Sequence, residues 1–208
     1  LLAMATGCNP RRDPFRDVNL ELRDAPRGSK KVDLAFRRAR AEGVLLLPDC
    51  DLDQVPGAAF ELLSTVEPGE ISLECFSTQE VTKLDLSHNR IQALGEDMAW
   101  GEMRSLATLR AHDNRISHPV GGVLARLSAS LQVLDLSKNR LAGDLAPGGL
   151  AVLEVLRELD VSHNALTGLG PDLPGQSLEV LRLGHNDITT LPSLAGCVRL
   201  RALSAEHC

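Results

Sequence analysis

The sequence predicts an α/β solenoid: a curved horseshoe with a parallel β-sheet on its concave face and short helices or 3₁₀ turns on its convex face. Three observations lead there. A motif of the form L-x-x-L-x-L-x-x-N-x-L recurs along the chain. Its asparagine returns at Asn89, Asn114, Asn139, Asn164 and Asn186, at intervals of 25, 25, 25 and 22 residues. Aromatic residues make up only 2% of the 208 residues, while hydrophobic residues reach 43%. A core of Leu, Val, Ile and Ala suits a thin, layered object better than a compact globule, which leans on aromatic volume.

The copies read directly from the chain. Val81–Ile91 is VTKLDLSHNRI, Leu106–Ile116 is LATLRAHDNRI, and Leu131–Leu141 is LQVLDLSKNRL. Leu156–Leu166 is LRELDVSHNAL, Leu178–Ile188 is LEVLRLGHNDI, and Leu200–Cys208 is LRALSAEHC. The central L-x-L alternates with period 2, so it forms a short strand with one buried face. In the first full copy Leu84 and Leu86 turn inward, and Lys83, Asp85 and Ser87 turn outward. Successive copies stack these strands parallel and in register, about 4.8 Å apart. After each strand the chain turns inside a buried corner, where an asparagine side chain can satisfy otherwise orphaned backbone groups. Cys208 falls on the asparagine position of the last copy.

The returning segments carry apolar residues at i, i+3: Leu124 and Leu127, Leu150 and Leu153, Leu194 and Cys197. That spacing predicts one face of a helix or 3₁₀ turn packed on the strand layer. Helices are wider than strands, so the stack curves with the strands inside.

The ends differ from the middle. Residues 1–28 hold Pro10, Pro14 and Pro26 among alternating charges and predict a flexible arm. Residues 29–43 predict an amphipathic capping helix, with Ser29 at its start and Val32, Phe36 and Ala39 on one face. A cap is needed because a bare terminal repeat exposes its core. Residues 44–208 form the array. Gly43–Pro56 reads as a divergent first repeat, with Leu45, Leu47 and Leu52 at leucine positions and Cys50 at the asparagine position. The stretch around Glu67–Glu80, with Ile71 and Leu73, reads as an insertion. At the other end the chain stops in mid-repeat, which reads as a fragment.

Residues 43–208 resemble the intracellular leucine-rich repeats. The N-terminal part resembles one intracellular member in particular, through Arg40-Ala41-Glu42-Gly43, the close on Asp53-Gln54-Val55-Pro56, the insertion, and EVTKLDLSHNRIQAL with LATLRAHDNRIS. The 25-residue repeats that follow depart from that member's shorter ones. The resemblance implies a protein–protein interaction module without catalytic residues. The cysteine-rich flanking caps of extracellular members are absent from the sequence, which fits an intracellular address.

Composition narrows the function further. The net charge of −6 argues against nucleic acid and against an anionic membrane surface, both of which need a basic footprint. The five cysteines, Cys8, Cys50, Cys75, Cys197 and Cys208, are scattered and odd in number, with no Cys-x-x-Cys pair. They suggest neither a disulfide framework nor a zinc site, and favour a reducing, cytoplasmic compartment, compatible with cytoskeletal or ciliary association. No phosphate loop, nucleophile elbow, metalloprotease or kinase signature occurs, so no enzyme activity, cofactor, metal or small-molecule substrate is expected. His163, His185 and His207 precede the asparagine position on neighbouring repeats, at a spacing where imidazoles could bind metal or sense pH. Triplets of this kind are also common at such an exposed corner, and that reading is favoured.

The outward strand positions are where a partner would touch. The central column is Asp85, Arg110, Asp135, Asp160, Arg182 and Ser204, alternating in sign over Asp85–Arg110–Asp135 and Asp160–Arg182. The column beside it is Lys83, Thr108, Val133, Glu158, Val180 and Ala202. The next is Ser87, His112, Ser137, Ser162, Gly184 and Glu206. The expected binding set is Lys83, Asp85, Arg110, His112, Asp135, Glu158, Asp160 and Arg182, presented to a protein partner by a scaffold or adaptor. The alternative is a sensing or targeting module of a larger enzyme or signalling protein whose other domain lies beyond residue 208.

Overall fold

The computed structural model describes residues 29–61, 80–117, 119–146 and 149–208. The arm over residues 1–28 and nearly all of the insertion lie outside the described residues. The chain opens with helix α1 (Ser29–Glu42), strand β1 (Val44–Leu46) and a helical turn α2 (Ala58–Glu61). Strand β2 (Lys83–Asp85), a 3₁₀ turn (Trp100–Glu102), strand β3 (Thr108–Arg110) and helix α3 (Gly121–Arg126) follow. Then come β4 (Val133–Asp135), β5 (Ala142–Asp144), β6 (Glu158–Asp160), β7 (Ala165–Gly168), β8 (Val180–Arg182) and β9 (Ala202–Ser204).

Seven of these strands form one parallel sheet in the order β1-β2-β3-β4-β6-β8-β9. The register is the one the motif demands. Leu84 pairs with Leu109, Leu134 with Leu159, and Leu181 with Leu203, so each leucine sits beside its counterpart. Leu84, Leu109, Leu134, Leu159 and Leu181 are 0–1% exposed. The divergent first repeat joins in step, Leu45 opposite Leu84. This core is a stack of leucine layers. At roughly 25 cal/mol per Å² of apolar surface removed from water, burial is the main stabilising force of each layer.

Helix α1 packs one face inward. Val32 and Ala39 are buried and Phe36 packs on the core. The helix ends where Gly43 adopts φ +66°, with its N–H donating to the Ala39 carbonyl at 2.8 Å.

The return side differs from expectation. Gly121–Arg126 is helical, as the Leu124–Leu127 spacing predicts, but Leu150–Leu153 and Leu194–Cys197 lie in turns. Such short segments form too few helical hydrogen bonds to offset the cost of nucleation, so packing of the leucines sets their shape. A second sheet that the sequence did not announce pairs β5 with β7 in parallel, where Leu145 N–H also reaches the Gly168 carbonyl at 3.1 Å. Trp100 fills the return side fully buried, its indole N–H donating to the carbonyls of Gly95 (2.9 Å) and Leu94 (3.2 Å), with Phe60 edge-on at 5.0 Å.

Candidate functional site

The asparagine ladder positions the site, because it sets where each strand ends. Asn114 donates to the carbonyls of Leu86, Ala111 and His112, at 2.9, 3.1 and 3.3 Å. Its Oδ1 accepts the Ile91 N–H of the preceding repeat at 3.0 Å. Asn139 and Asn164 repeat the pattern toward Ile116 and Leu141. Asn89 performs it for the divergent repeat, accepting from both Cys50 and Leu52 at 3.0 Å. Where cysteine replaces asparagine, one bond of the set survives: the Cys208 thiol donates to the Leu183 carbonyl at 3.3 Å.

The residue before each ladder position is left-handed. Asp49, His88, Asp113, Lys138, His163, His185 and His207 all have φ between 52° and 60°. Aspartate and histidine tolerate this region better than most residues. The backbone therefore gives a reason for the recurring histidines. His163 and His185 stack at 4.2 Å and His185 and His207 at 4.8 Å, nearly parallel. Rings stacked in this way do not converge on one point. Among the described residues no group of three potential ligands is placed to hold a metal ion.

The outward columns stand in the predicted register: Asp85 beside Arg110, Arg110 beside Asp135, Asp135 beside Asp160, and Asp160 beside Arg182. Lys83 lies beside Thr108, and Glu158 between Val133 and Val180. The columns begin one strand earlier than the repeat motif indicated, with Val44 beside Lys83 and Leu46 beside Asp85. Arg110, His112, Asp135, Glu158, Asp160 and Arg182 line one hollow of about 300 Å³, floored by Val133 and Leu134. Lys83 and Asp85 lie beside it, on β2.

One expectation for this face needs correction. Ser87 does not point to solvent: it is 3% exposed, and Ser137 is 9% exposed. Each serine folds onto the aspartate two residues before it. Asp85 Oδ1 accepts both the N–H and the hydroxyl of Ser87, at 3.0 and 2.5 Å. Ser137 holds Asp135 at 3.0 and 2.7 Å, and Ser162 holds Asp160 at 3.0 and 2.6 Å. Each carboxylate is thus fixed with one oxygen engaged. This is the local side chain–backbone turn that Asp and Ser favour, and the D-x-S spacing could have signalled it.

The alternating charges of the central column pair at one place. Only Asp160–Arg182 closes, at 3.9 Å. Among the described residues Arg110 makes no ion pair with Asp85 or Asp135, so its guanidinium remains open to a partner. One column further out, Glu179 sits between Arg157 (3.3 Å) and Arg201 (3.8 Å). His112 packs edge-on against His88 at 4.7 Å, and His88 Nδ1 lies 2.7 Å from Asp113.

Of the cysteines within the described residues, Cys50 alone is buried; Cys197 is half-buried and Cys208 exposed. Desolvation pushes the thiol pKa of both Cys50 and Cys197 up. No helix among the described residues is long and apolar enough to cross a membrane.

Comparison with known proteins agrees with this architecture. Models of the leucine-rich repeat match residues 154–208, 130–153 and 80–95. The chain is 40% identical over 107 residues to Podocan-like protein 1 of Mus musculus, covering 51% of this chain and 18% of that protein. It is 32% identical over 147 residues to Toll-like receptor 6 of Mus musculus, covering 66% and 17%. It is 29% identical over 168 residues to Toll-like receptor 7 of Drosophila melanogaster, covering 81% and 10%. The matches thus span less than a fifth of each of these relatives.

Proposed function

Starting from a leucine-rich-repeat solenoid, we propose that this chain is a protein–protein interaction scaffold or adaptor that holds its partner on the sheet face. The observation that carries the reading is the hollow of six charged and polar side chains contributed by four consecutive strands, β3, β4, β6 and β8, and the turn after β3. Three of its six groups are held in place: serine hydroxyls orient Asp135 and Asp160, and Arg182 leans on Asp160. Preorganised groups lose less entropy on binding. Arg110 offers a free planar fork for a partner carboxylate. Glu158 and the open oxygen of Asp135 offer a place for a partner cation. Val133 and Val180 add apolar surface on either side of Glu158. The role is non-enzymatic, with a protein rather than nucleic acid, a membrane or a small substrate as partner. A cytoplasmic address accords with the resemblance to intracellular repeats and with the unpaired, buried Cys50.

A second reading has its own support. Relatives include proteins named as receptors, of which the matched region spans 17% and 10%. On that reading the array is the recognition part of a larger receptor or signalling protein.

The test is affinity capture from cell lysate with mass spectrometry, comparing wild type with an Arg110→Glu, Arg182→Glu double variant. The double reversal leaves acidic side chains on five successive strands of the central column, and like charges facing a partner's own weaken binding strongly. Arg126 is a poor control, because its Nη1 donates to the Met98 carbonyl at 2.9 Å. Arg104→Glu, exposed on the return side, serves instead. The partner is retained by wild type and the Arg104 variant and lost from the double variant. Loss with Arg104→Glu and retention by the double variant would move the site off the sheet face.

A further inference from the structure

The corner after each strand carries a second set of charges, off the sheet face. The residue following the ladder asparagine is Arg90, Arg115 and Arg140 on three consecutive repeats, all exposed. Their backbones are tied in step: the Arg115 N–H donates to the Ile91 carbonyl at 3.0 Å, and the Arg140 N–H to that of Ile116 at 2.9 Å. The side chains therefore leave the stack in one row, at the strand spacing of about 4.8 Å. Lys138, exposed and left-handed, stands two residues before Arg140. All three arginines line a hollow of about 460 Å³.

The acidic groups of this corner are largely committed elsewhere. Asp51 holds Arg90 at 3.0 Å, and Asp113 holds His88 at 2.7 Å. Asp49 lines the far end of the hollow, on the first repeat. Among the described residues, Arg115, Lys138 and Arg140 make no ion pair. In the row of the arginines the next repeat has Ala165, and Asp187 comes only after it. A chain of net charge −6 thus gathers three cations without ion-pair partners within two neighbouring repeats, with the Asp113 carboxylate lining the same hollow.

We propose that this corner docks an acidic segment of a protein partner, its carboxylates held by Arg115 and Arg140 with Lys138 beside them. Two guanidinium forks one repeat apart match neighbouring carboxylates, and each fork can bind one bidentately. A nucleic acid fits less well. Three cations release few counterions, the overall negative charge repels a polyanion, and among the described residues no exposed Phe or Trp stands beside them as a platform for bases. This surface uses none of the residues assigned to the sheet-face hollow, so it stands or falls independently of that reading.

The experiment is fluorescence anisotropy of a fluorescein-labelled hexaglutamate peptide titrated with the whole chain. Binding is expected at low ionic strength, weakening as salt passes about 0.1 M, where the screening length falls to about 10 Å. Arg115→Glu with Arg140→Glu is expected to weaken it at least about tenfold. Arg115→Gln with Arg140→Gln is expected to weaken it less, and Arg104→Glu to leave it unchanged. A circular dichroism melt checks that the variants are folded, and the milder glutamine pair serves if the reversal is not. The proposal is overturned if hexaglutamate does not bind, or if a folded Arg115/Arg140 variant binds it as well as wild type. It is equally overturned if a short single-stranded oligonucleotide of matched charge binds more tightly through the same two arginines.

Discussion

Asn114 is bonded to Ile91 across the repeat boundary: its Oδ1 accepts the Ile91 N–H at 3.0 Å, while its amide group serves carbonyls on both repeats. One side chain thus joins two layers. It is 8% exposed, whereas Asn139 and Asn164 are half-buried, so the ladder is best tested here.

Asn114→Leu leaves the Ile91 N–H without its acceptor and takes one of two donors from the Leu86, Ala111 and His112 carbonyls, which keep Asn89, Asn139 and the His88 N–H respectively. The expected loss is about 1–3 kcal/mol of unfolding free energy, the cost of burying unsatisfied polar groups. Asn114→Asp keeps an acceptor for Ile91 but turns a second oxygen, at neutral pH a charged one, toward those carbonyls, so it should be at least as damaging. Urea denaturation measures both. A midpoint unchanged by either variant would show that the ladder contributes geometry without stability.

Gly170 stands where no side chain fits. Its φ is +95°, and a Cβ there would lie 2.1 Å from the Ala146 carbonyl oxygen. That carbonyl already accepts the Gly149 N–H at 2.8 Å, so it cannot swing away freely. Gly170→Ala should therefore cost at least about 1–3 kcal/mol, combining strained backbone with a clash. Gly196→Ala is the matched control, since nothing lies within 4 Å of a Cβ at that position. Thermal melts should separate the two, with the Gly196 variant close to wild type.

Glu206 carries a titration signature of the sheet's last strand. The Ser204 hydroxyl, 2.5 Å away, is the largest cause holding its carboxyl pKa below the ordinary glutamate value. A backbone hydrogen bond and attraction from His185 and His207 act in the same direction. A depressed acid favours the folded state above the ordinary carboxylate pKa, about 4.3, and that contribution is lost as pH falls through the folded value. Ser204→Ala should move the Glu206 titration upward, toward the ordinary value. Carboxyl-carbon NMR shifts against pH report it, and an unmoved midpoint would assign the depression to the backbone hydrogen bond and the histidines instead.

The parts of the fold legible in the chain were those encoded by short periods. Alternation over L-x-L sets which side chains are buried, and the phase of the asparagines sets the register, so Leu84, Leu109 and Leu134 align as the motif required. The same alternation placed Asp85, Arg110, Asp135, Asp160 and Arg182 in one column. The αL row of Asp113, Lys138 and His163, the pinning of Asp85 by Ser87, and the burial of that serine were not read, because they depend on turn angles rather than on hydrophobic period.

Sequence by itself determined the stacking unit, its inward leucines and its outward columns, because these follow from covalent order and from a two-residue repeat of burial. Only the tertiary structure decided which charges pair. Arg182 reaches Asp160 and Arg90 reaches Asp51, while Arg110, Arg115 and Arg140 stay open among the described residues. Long side chains on adjacent repeats have several partners within reach, and small differences in rotamer and backbone geometry select among them. The return segments were decided at the same level: apolar spacing alone did not distinguish the helix at Gly121–Arg126 from the turns around Leu150 and Leu194, because packing between layers outweighs so short a local preference.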